Sequence, residues 1–266
     1  MVPEYVLLRY GEIFLKGKNR SFFEKRLIDN IKKITEINKV KKLRSRLIAD
    51  YFPKHSKLKN VFGLTSYSPA FFADKDMEKI KEKALSIIKN KQGSFKIETK
   101  RSDKTFPLKS PEINVLVGEF IEKNTNLKFS FENAENILKI EINQQGAYFF
   151  FDTIQCFGGL PTGVEGEIYL LVENEASLLA GLLMMKRGCS IVPLSSRNKD
   201  ISLLQKFSPE KLELNAINDL YKLKEEVLVI GQNFDNLKKY DPESMIFRPL
   251  IAYSDKKIEE ELRFYS

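Results

Sequence analysis

Tryptophan is absent from this 266-residue chain, histidine occurs once and cysteine twice. The single imidazole, His55, lies in a Lys-rich stretch with no evident catalytic partner, so it reads as an exposed residue without a chemical role. Cys156 and Cys189 stand far apart beside apolar segments. Neither belongs to a metal-binding spacing or a C-x-x-C pair, so both are expected to be buried, reduced thiols. No apolar run approaches the about 20 residues a membrane span needs. No secretory signal precedes the first strand-like run, and the expected compartment is the cytoplasm.

What the chain does contain is an uneven distribution of charge. Lysine and arginine number 44 against 36 acids, a net +8. Residues 1–110 carry 27 cations and 12 acids, a balance of +15, which leaves −7 for residues 111–266. A positive front half points to a polyanionic partner, nucleic acid first among them, with a solvated Lys-rich surface as the alternative. The length suits two or three small domains.

The order of elements can be read from period and punctuation. Tyr5–Tyr10 is an apolar strand closed by Gly11. Ser21 with Glu24 forms a capping-box pattern ahead of Phe23, Leu27, Ile31 and Ile34 at helical spacing. Phe22 and Phe23 are both expected in the core. A strand is expected over Lys41–Tyr51, where Leu43, Leu47 and Ile48 interleave with Lys42, Arg44 and Arg46, and another over Asn60–Tyr67. This β-α-β-β order suits a small ferredoxin-like unit.

Asp74 or Asp76 can cap a helix bearing Met77, Ile80, Ala84, Ile87 and Ile88, and Ser94–Arg101 alternates as a strand. The irregular basic segment Ser102–Lys109 follows. Ser110 with Pro111 then opens a helix whose stripe is Ile113, Leu116, Val117, Phe120 and Ile121. Leu127–Phe131, Leu138–Asn143 and Ala147–Asp152 read as strands. Later, Phe157–Gly188 reads as a glycine-rich turn, a strand Glu167–Val172 and a helix from Ala176 that stops at Gly188, with a second apolar run over Cys189–Leu194. Such a β-α-β unit places free backbone N–H groups and a helix dipole at its strand-to-helix turn, which favours an anion. Val227–Ile230 reads as a further buried strand.

Two stretches resemble the tRNA 4-thiouridine synthetase family, which is also the thiamine-thiazole sulfurtransferase family. The first is Gly11-Glu12-Ile13-x-Leu15-Lys16-Gly17-Lys18-Asn19-Arg20 with Phe23-Glu24; the second is Gly158–Pro161 with Met184–Gly188 at the family's spacing. Arg248–Ile251 with Lys256–Ile258 is similar to a third family segment, near the end of its nucleotide-binding domain. The resemblance implies a multidomain α/β and α+β fold. It comprises a ferredoxin-like domain over 1–70, a THUMP RNA-binding domain over 71–155 and a shortened, doubly wound PP-loop ATPase-like domain over 164–266. It also implies contact with the acceptor stem and 3′ CCA end of tRNA. The residues implied for that contact are Lys16, Lys18, Asn19 and Arg20 in the front loop, and Lys100, Arg101, Lys104, Phe106, Pro107 and Lys109 around the basic segment. Phe106 either stacks on a terminal base or packs beneath its loop.

The family's phosphate loop, S-G-G-x-D-S, is not kept. Val172, Glu173, Asn174, Glu175, Ala176 and Ser177 occupy its six positions, and only Ser177 matches. Glu173 and Asn174 replace the glycines that let backbone approach phosphates. The two glutamates would repel a triphosphate, a juxtaposition costing several kcal/mol. Neither cysteine falls at the family's persulfide position, and a rhodanese-like domain is not expected. The expectation is a pseudoenzyme without catalytic residues, metal or cofactor, needing ATP and Mg only if the loop still works. It would act in uridine thiolation as a tRNA-holding subunit, as a homodimer or beside a catalytic paralogue, away from membranes. The alternatives are an active synthetase with an atypical ATP loop, or a THUMP adaptor presenting tRNA to an unrelated enzyme. A THUMP methyltransferase is disfavoured because no glycine-rich cofactor turn with a downstream acid is evident.

Overall fold

Strand-forming and helix-forming stretches alternate along the chain, and the computed structural model describes them over residues 1–43, 46–219, 223, 226–238 and 245–266. Arg44, inside the strand expected over Lys41–Tyr51, lies outside the described residues. The order is β1 (Tyr5–Tyr10), a 3-10 helix (Glu12–Asn19), α1 (Arg20–Thr35), β2 (Lys41–Lys42), β3 (Leu47–Asp50), a second 3-10 helix (His55–Asn60) and β4 (Leu64–Ala73). Then come α2 (Met77–Ile88), β5 (Ser94–Arg101), α3 (Ser110–Asn124), β6 (Lys128–Phe129), β7 (Asn136–Ile142), β8 (Ala147–Phe150) and β9 (Ile154–Gln155). The last part holds β10 (Glu167–Leu171), α4 (Glu175–Lys186), β11 (Ser190–Ser195), α5 (Ser202–Phe207), β12 (Asn215–Ala216), β13 (Val227–Ile230), β14 (Met245–Phe247) and α6 (Asp255–Tyr265). Among the described residues no helix is long and apolar enough to cross a membrane.

The chain divides into two compact units. One gathers Met1–Arg9, Lys39–His55 and Ser66–Ile154; the other gathers Tyr10–Asn38, Ser56–Thr65 and Gln155–Ser266. Among the described residues, the first unit is built on a sheet of order β2-β3-β1-β4-β8-β7-β5-β6, with β9 paired to β4. The front strands thus share a sheet with those of the segment expected over 71–155. Ile80, Ala84 and Ile88 of α2 meet Ile113, Val117 and Ile121 of α3 over Phe95, Ile97, Leu138 and Ile140. This is the inward stripe of each helix on the inward alternation of each strand. Leu116, expected in that stripe, is exposed, because the stripe follows positions 113, 117 and 121. His55 is half-buried beside Tyr51 and Phe52 and 3.4 Å from the Tyr67 hydroxyl, not exposed, and burial lowers its pKa.

In the second unit the described strands form a parallel sheet of order β12-β11-β10-β13-β14. The order reverses between β10 and β13, the point where doubly wound sheets open a crevice beyond their carboxyl ends. Ile168, Leu170 and Val172 face a core shared with Leu179, Leu182, Met185, Phe207 and Tyr265, while Leu171 faces Leu194, Leu228 and Ile230 on the other side. The α4 sequence EASLLAGLLMMK is apolar nearly all round, as a helix at the centre of a core must be.

The glycine-rich turn and the M-x-K-R-G tail turn out to be partners of each other. Leu160 N donates to Lys186 O at 2.9 Å, and Gly163 N and Glu165 N both donate to Gly188 O. The carbonyls that a helix leaves unpaired at its end are thereby satisfied by the turn before β10. A Cβ on Gly159, at φ +80°, would sit 2.3 Å from Lys186 O, so only glycine fits there.

Candidate nucleic-acid interface and the strand-to-helix turn

The front loop is not an open turn. Residues Glu12–Asn19 wind into 3-10 helix with a break at Gly17 (φ +52°), and α1 starts at Arg20 behind Asn19. Lys18 and Asn19 are exposed. The Lys16 ammonium lies 4.6 Å from the Phe23 ring centre and 3.6 Å from Glu165. The expected capping box does not form, because α1 begins before Ser21 and Glu24 is turned inward. There the Glu24 carboxylate accepts the Tyr10 hydroxyl at 2.5 Å and Arg20 Nε at 2.7 Å. Burial, reinforced by the bond to Glu24, pushes the Tyr10 phenol up to about 12. Phe23 is buried as expected, but Phe22 is 51% exposed, since neighbouring helix positions cannot both face the core.

The basic segment between β5 and α3 is held from within. Asp103 Oδ1 accepts Thr105 N at 2.9 Å and Thr105 Oγ1 at 2.7 Å, while Oδ2 takes the Lys75 ammonium at 2.7 Å. Arg101 Nη1 donates to Phe106 O at 2.9 Å. Phe106 is 5% exposed and packs in the core of the first unit, so of the two expectations for it the packing one describes the fold and its ring is not offered to a base. Lys100, Lys104, Pro107 and Lys109 are exposed or half-buried around it. The α3 helix starts one residue earlier than expected, with Lys109 at its cap and its N–H donated to Glu112.

These contacts, the Lys75 hydrogen bond foremost, hold the Asp103 carboxyl far below the usual carboxylate range. A group with a depressed folded-state pKa contributes stability above its unfolded pKa and loses it as pH falls through the folded value. The loop should therefore stay ordered down through about pH 4, where ordinary aspartates protonate. Asp103→Ala should speed amide exchange at Thr105 already at neutral pH. Exchange equal to that of the unaltered chain would contradict this.

At the turn after β10, the chain's own side chains take up the N–H groups of Glu173, Asn174 and Ser177. Ser177 Oγ accepts Glu173 N at 3.1 Å and Asn174 N at 3.4 Å, and Asn174 Oδ1 accepts Ser177 N at 3.2 Å. Ser177 is buried, Ala176 half-buried, and Glu175 exposed in the first turn. From β13, Gly231 closes on this turn so tightly that a Cβ there would lie 2.5 Å from Ser177 N. Beside it a cleft of about 590 Å³ is lined by Glu173, Ser196, Arg197, Lys199, Asp219 and Lys238. It occupies the crevice that the strand order creates. The Cys156 thiol is pushed up to about 12 by burial, which leaves it protonated and a poor nucleophile. Burial also raises the Cys189 thiol.

Two cations escaped the sequence reading as site residues. Lys42 and Arg46 line a cavity of about 250 Å³ with Lys100, Arg101, Asn143 and Gln145. Arg46 and Arg9 both bond Glu141, which balances part of that charge. The alternation of cations with Leu43, Leu47 and Ile48 carried the signal, since alternate strand residues share a face.

Comparison with known proteins fits this geometry. Residues 5–68 match the model for the ThiI ferredoxin-like domain, and residues 74–152 that for the THUMP domain. A probable tRNA sulfurtransferase of Mycoplasmopsis synoviae (strain 53) is 38% identical over 188 residues, covering 70% of this chain and 50% of that protein. The corresponding protein of Natranaerobius thermophilus is 38% identical over 213 residues, covering 71% and 51%. The chain spans about half the length of these curated relatives. Among solved structures, PH1313 from Pyrococcus horikoshii superposes with a TM-score of 0.85 at 30% identity over 98% of this chain and 99% of that one. A 4-thiouridine synthetase–RNA complex with bound ATP gives 0.80 at 25% identity, over 99% and 85%. The chain belongs to the tRNA sulfurtransferase (4-thiouridine synthetase) family, with that family's ferredoxin-like and THUMP domains followed by a doubly wound α/β region.

Proposed function

We propose that this protein binds tRNA through its basic front half and serves uridine thiolation as a tRNA-holding or partner subunit without adenylating chemistry of its own. RNA contact is supported by the outward-facing Lys18, Lys100, Lys104 and Lys109, and by the relative solved in complex with RNA. The observation that carries the non-catalytic part is the α4 turn. The N–H groups of Glu173, Asn174 and Ser177 are spent on the side chains of Ser177 and Asn174, and Glu173 and Glu175 add negative charge at the helix start. A triphosphate does not fit a turn of that chemistry, so no step is assigned to ATP or magnesium. The three segments 1–70, 71–155 and 164–266 are proposed as the functional divisions, with the acceptor stem and 3′ CCA end as the bound part of the tRNA. The last segment would dock a second copy or a catalytic paralogue, in the cytoplasm.

One observation favours a second reading, an active synthetase with an atypical loop. The cleft beside the turn keeps Arg197, Lys199 and Lys238. Tight binding of ATP–Mg²⁺ there would select it, and a salt series of tRNA affinity tests the RNA half of the proposal independently. An adaptor role beside an unrelated enzyme would show as a different enzyme co-purifying with the chain.

A further inference from the structure

Arg20 is built into the front loop in a way that a simple phosphate grip does not require. Its partner Glu24 has a side chain only 2% exposed, while that of Arg20 is 31% exposed. A buried carboxylate is costly to keep unless its geometry sets something in place. Here it fixes the guanidinium from one side, by the 2.7 Å bond to Arg20 Nε, while Arg20 Nη2 reaches the Tyr10 hydroxyl at 3.1 Å. The Phe14 ring supports the guanidinium at 4.4 Å, and Phe14 in turn stacks on Tyr10 at 4.7 Å with the rings 14° apart. Because Glu24 balances its charge, Arg20 offers a phosphate less than an open lysine would, yet it keeps a rigid, weakly hydrated plane.

Around it the loop exposes apolar groups, Phe14 at 37% and Leu15 at 85%, in a sequence interleaved with Lys16 and Lys18. A fixed flat cation over an aromatic ring, set among lysines, complements an anionic chain whose units carry flat π-faces. We infer that Phe14 and Arg20 form a stacking platform for an unpaired nucleobase, distinct in role from the lysines that neutralise phosphates. This rests on the RNA-binding reading and adds to it the residues that would hold an unpaired nucleotide.

The test uses the full chain with a blunt RNA duplex and the same duplex carrying an unpaired 2-aminopurine nucleotide. The unaltered protein should bind the overhang about 5- to 100-fold more tightly, as one stacked base provides, and should quench its fluorescence. Arg20→Lys keeps the charge but not the plane, and Phe14→Leu keeps the apolar packing but not the ring. Each should abolish both the preference and the quenching, and Phe14→Leu should do so while leaving blunt-duplex affinity and its salt dependence unchanged. Circular dichroism of each variant separates this from unfolding, and a fall in the blunt-duplex affinity of Phe14→Leu with intact folding would overturn the assignment. Retention of the overhang preference in both variants would also overturn it. Failure of the unaltered chain to bind either RNA would defeat the RNA reading itself, and the platform with it.

Discussion

Affinity for tRNA is expected to fall by about 10³ between about 50 and 200 mM salt, the loss that accompanies neutralisation of roughly six phosphates. The cations available are unevenly committed. Lys18, Lys100, Lys104 and Lys109 face outward, whereas Arg9 and Arg46 are engaged by Glu141 and Arg20 by Glu24. Replacing Lys104 and Lys109 together with alanine should lower the slope of log affinity against log salt by about 0.9 for each phosphate that is no longer neutralised. The weakening should be similar for all tRNA species, because phosphate contacts carry no sequence information. A filter-binding series reads both effects. Affinity that is flat across the salt range would mean that the basic half serves another purpose.

The second large effect is an absence of response to ATP. A ligand present at 100 times its Kd stabilises a protein by about 2.7 kcal/mol, a rise in Tm of roughly 5–10 °C for a chain of this size. No such rise is expected with ATP–Mg²⁺. The phosphates would have to displace Ser177 Oγ and Asn174 Oδ1 from the N–H groups they hold. Those bonds cap α4, and losing a cap costs about 1 kcal/mol before the repulsion from Glu173 and Glu175 is added. A clear thermal shift with ATP–Mg²⁺ would show that the turn rearranges and would favour the active-synthetase reading.

Much of this was legible in the residues because local and tertiary preferences agree. The β10–α4–β11 unit reads directly, since an apolar strand, an almost wholly apolar helix and the Lys186-Arg187-Gly188 stop all favour burial between layers. Asn174 is legible as a substitution and Ser177 as the one retained position, but not that their side chains take up N–H groups of the turn. The misses have a common cause. Glu24 fitted a capping pattern, yet its carboxylate went to Tyr10 and Arg20, and Phe22 fitted an apolar pair that one helix face cannot bury. His55 appeared solvent-facing because its sequence neighbours are lysines, while its spatial neighbours are aromatic. Lys42 and Arg46 meet Lys100 and Arg101 only through strand pairing, and sequence spacing does not encode that pairing.

The most direct measurement is a tRNA crosslink mapped to both residue and nucleotide on the full chain. Labels are expected in the basic front half, at the Lys16–Arg20 loop and on the Lys100–Lys109 segment, paired with nucleotides of the acceptor end. Labels falling mostly beyond Val164 would contradict the division between an RNA-holding front half and a nucleotide-free turn.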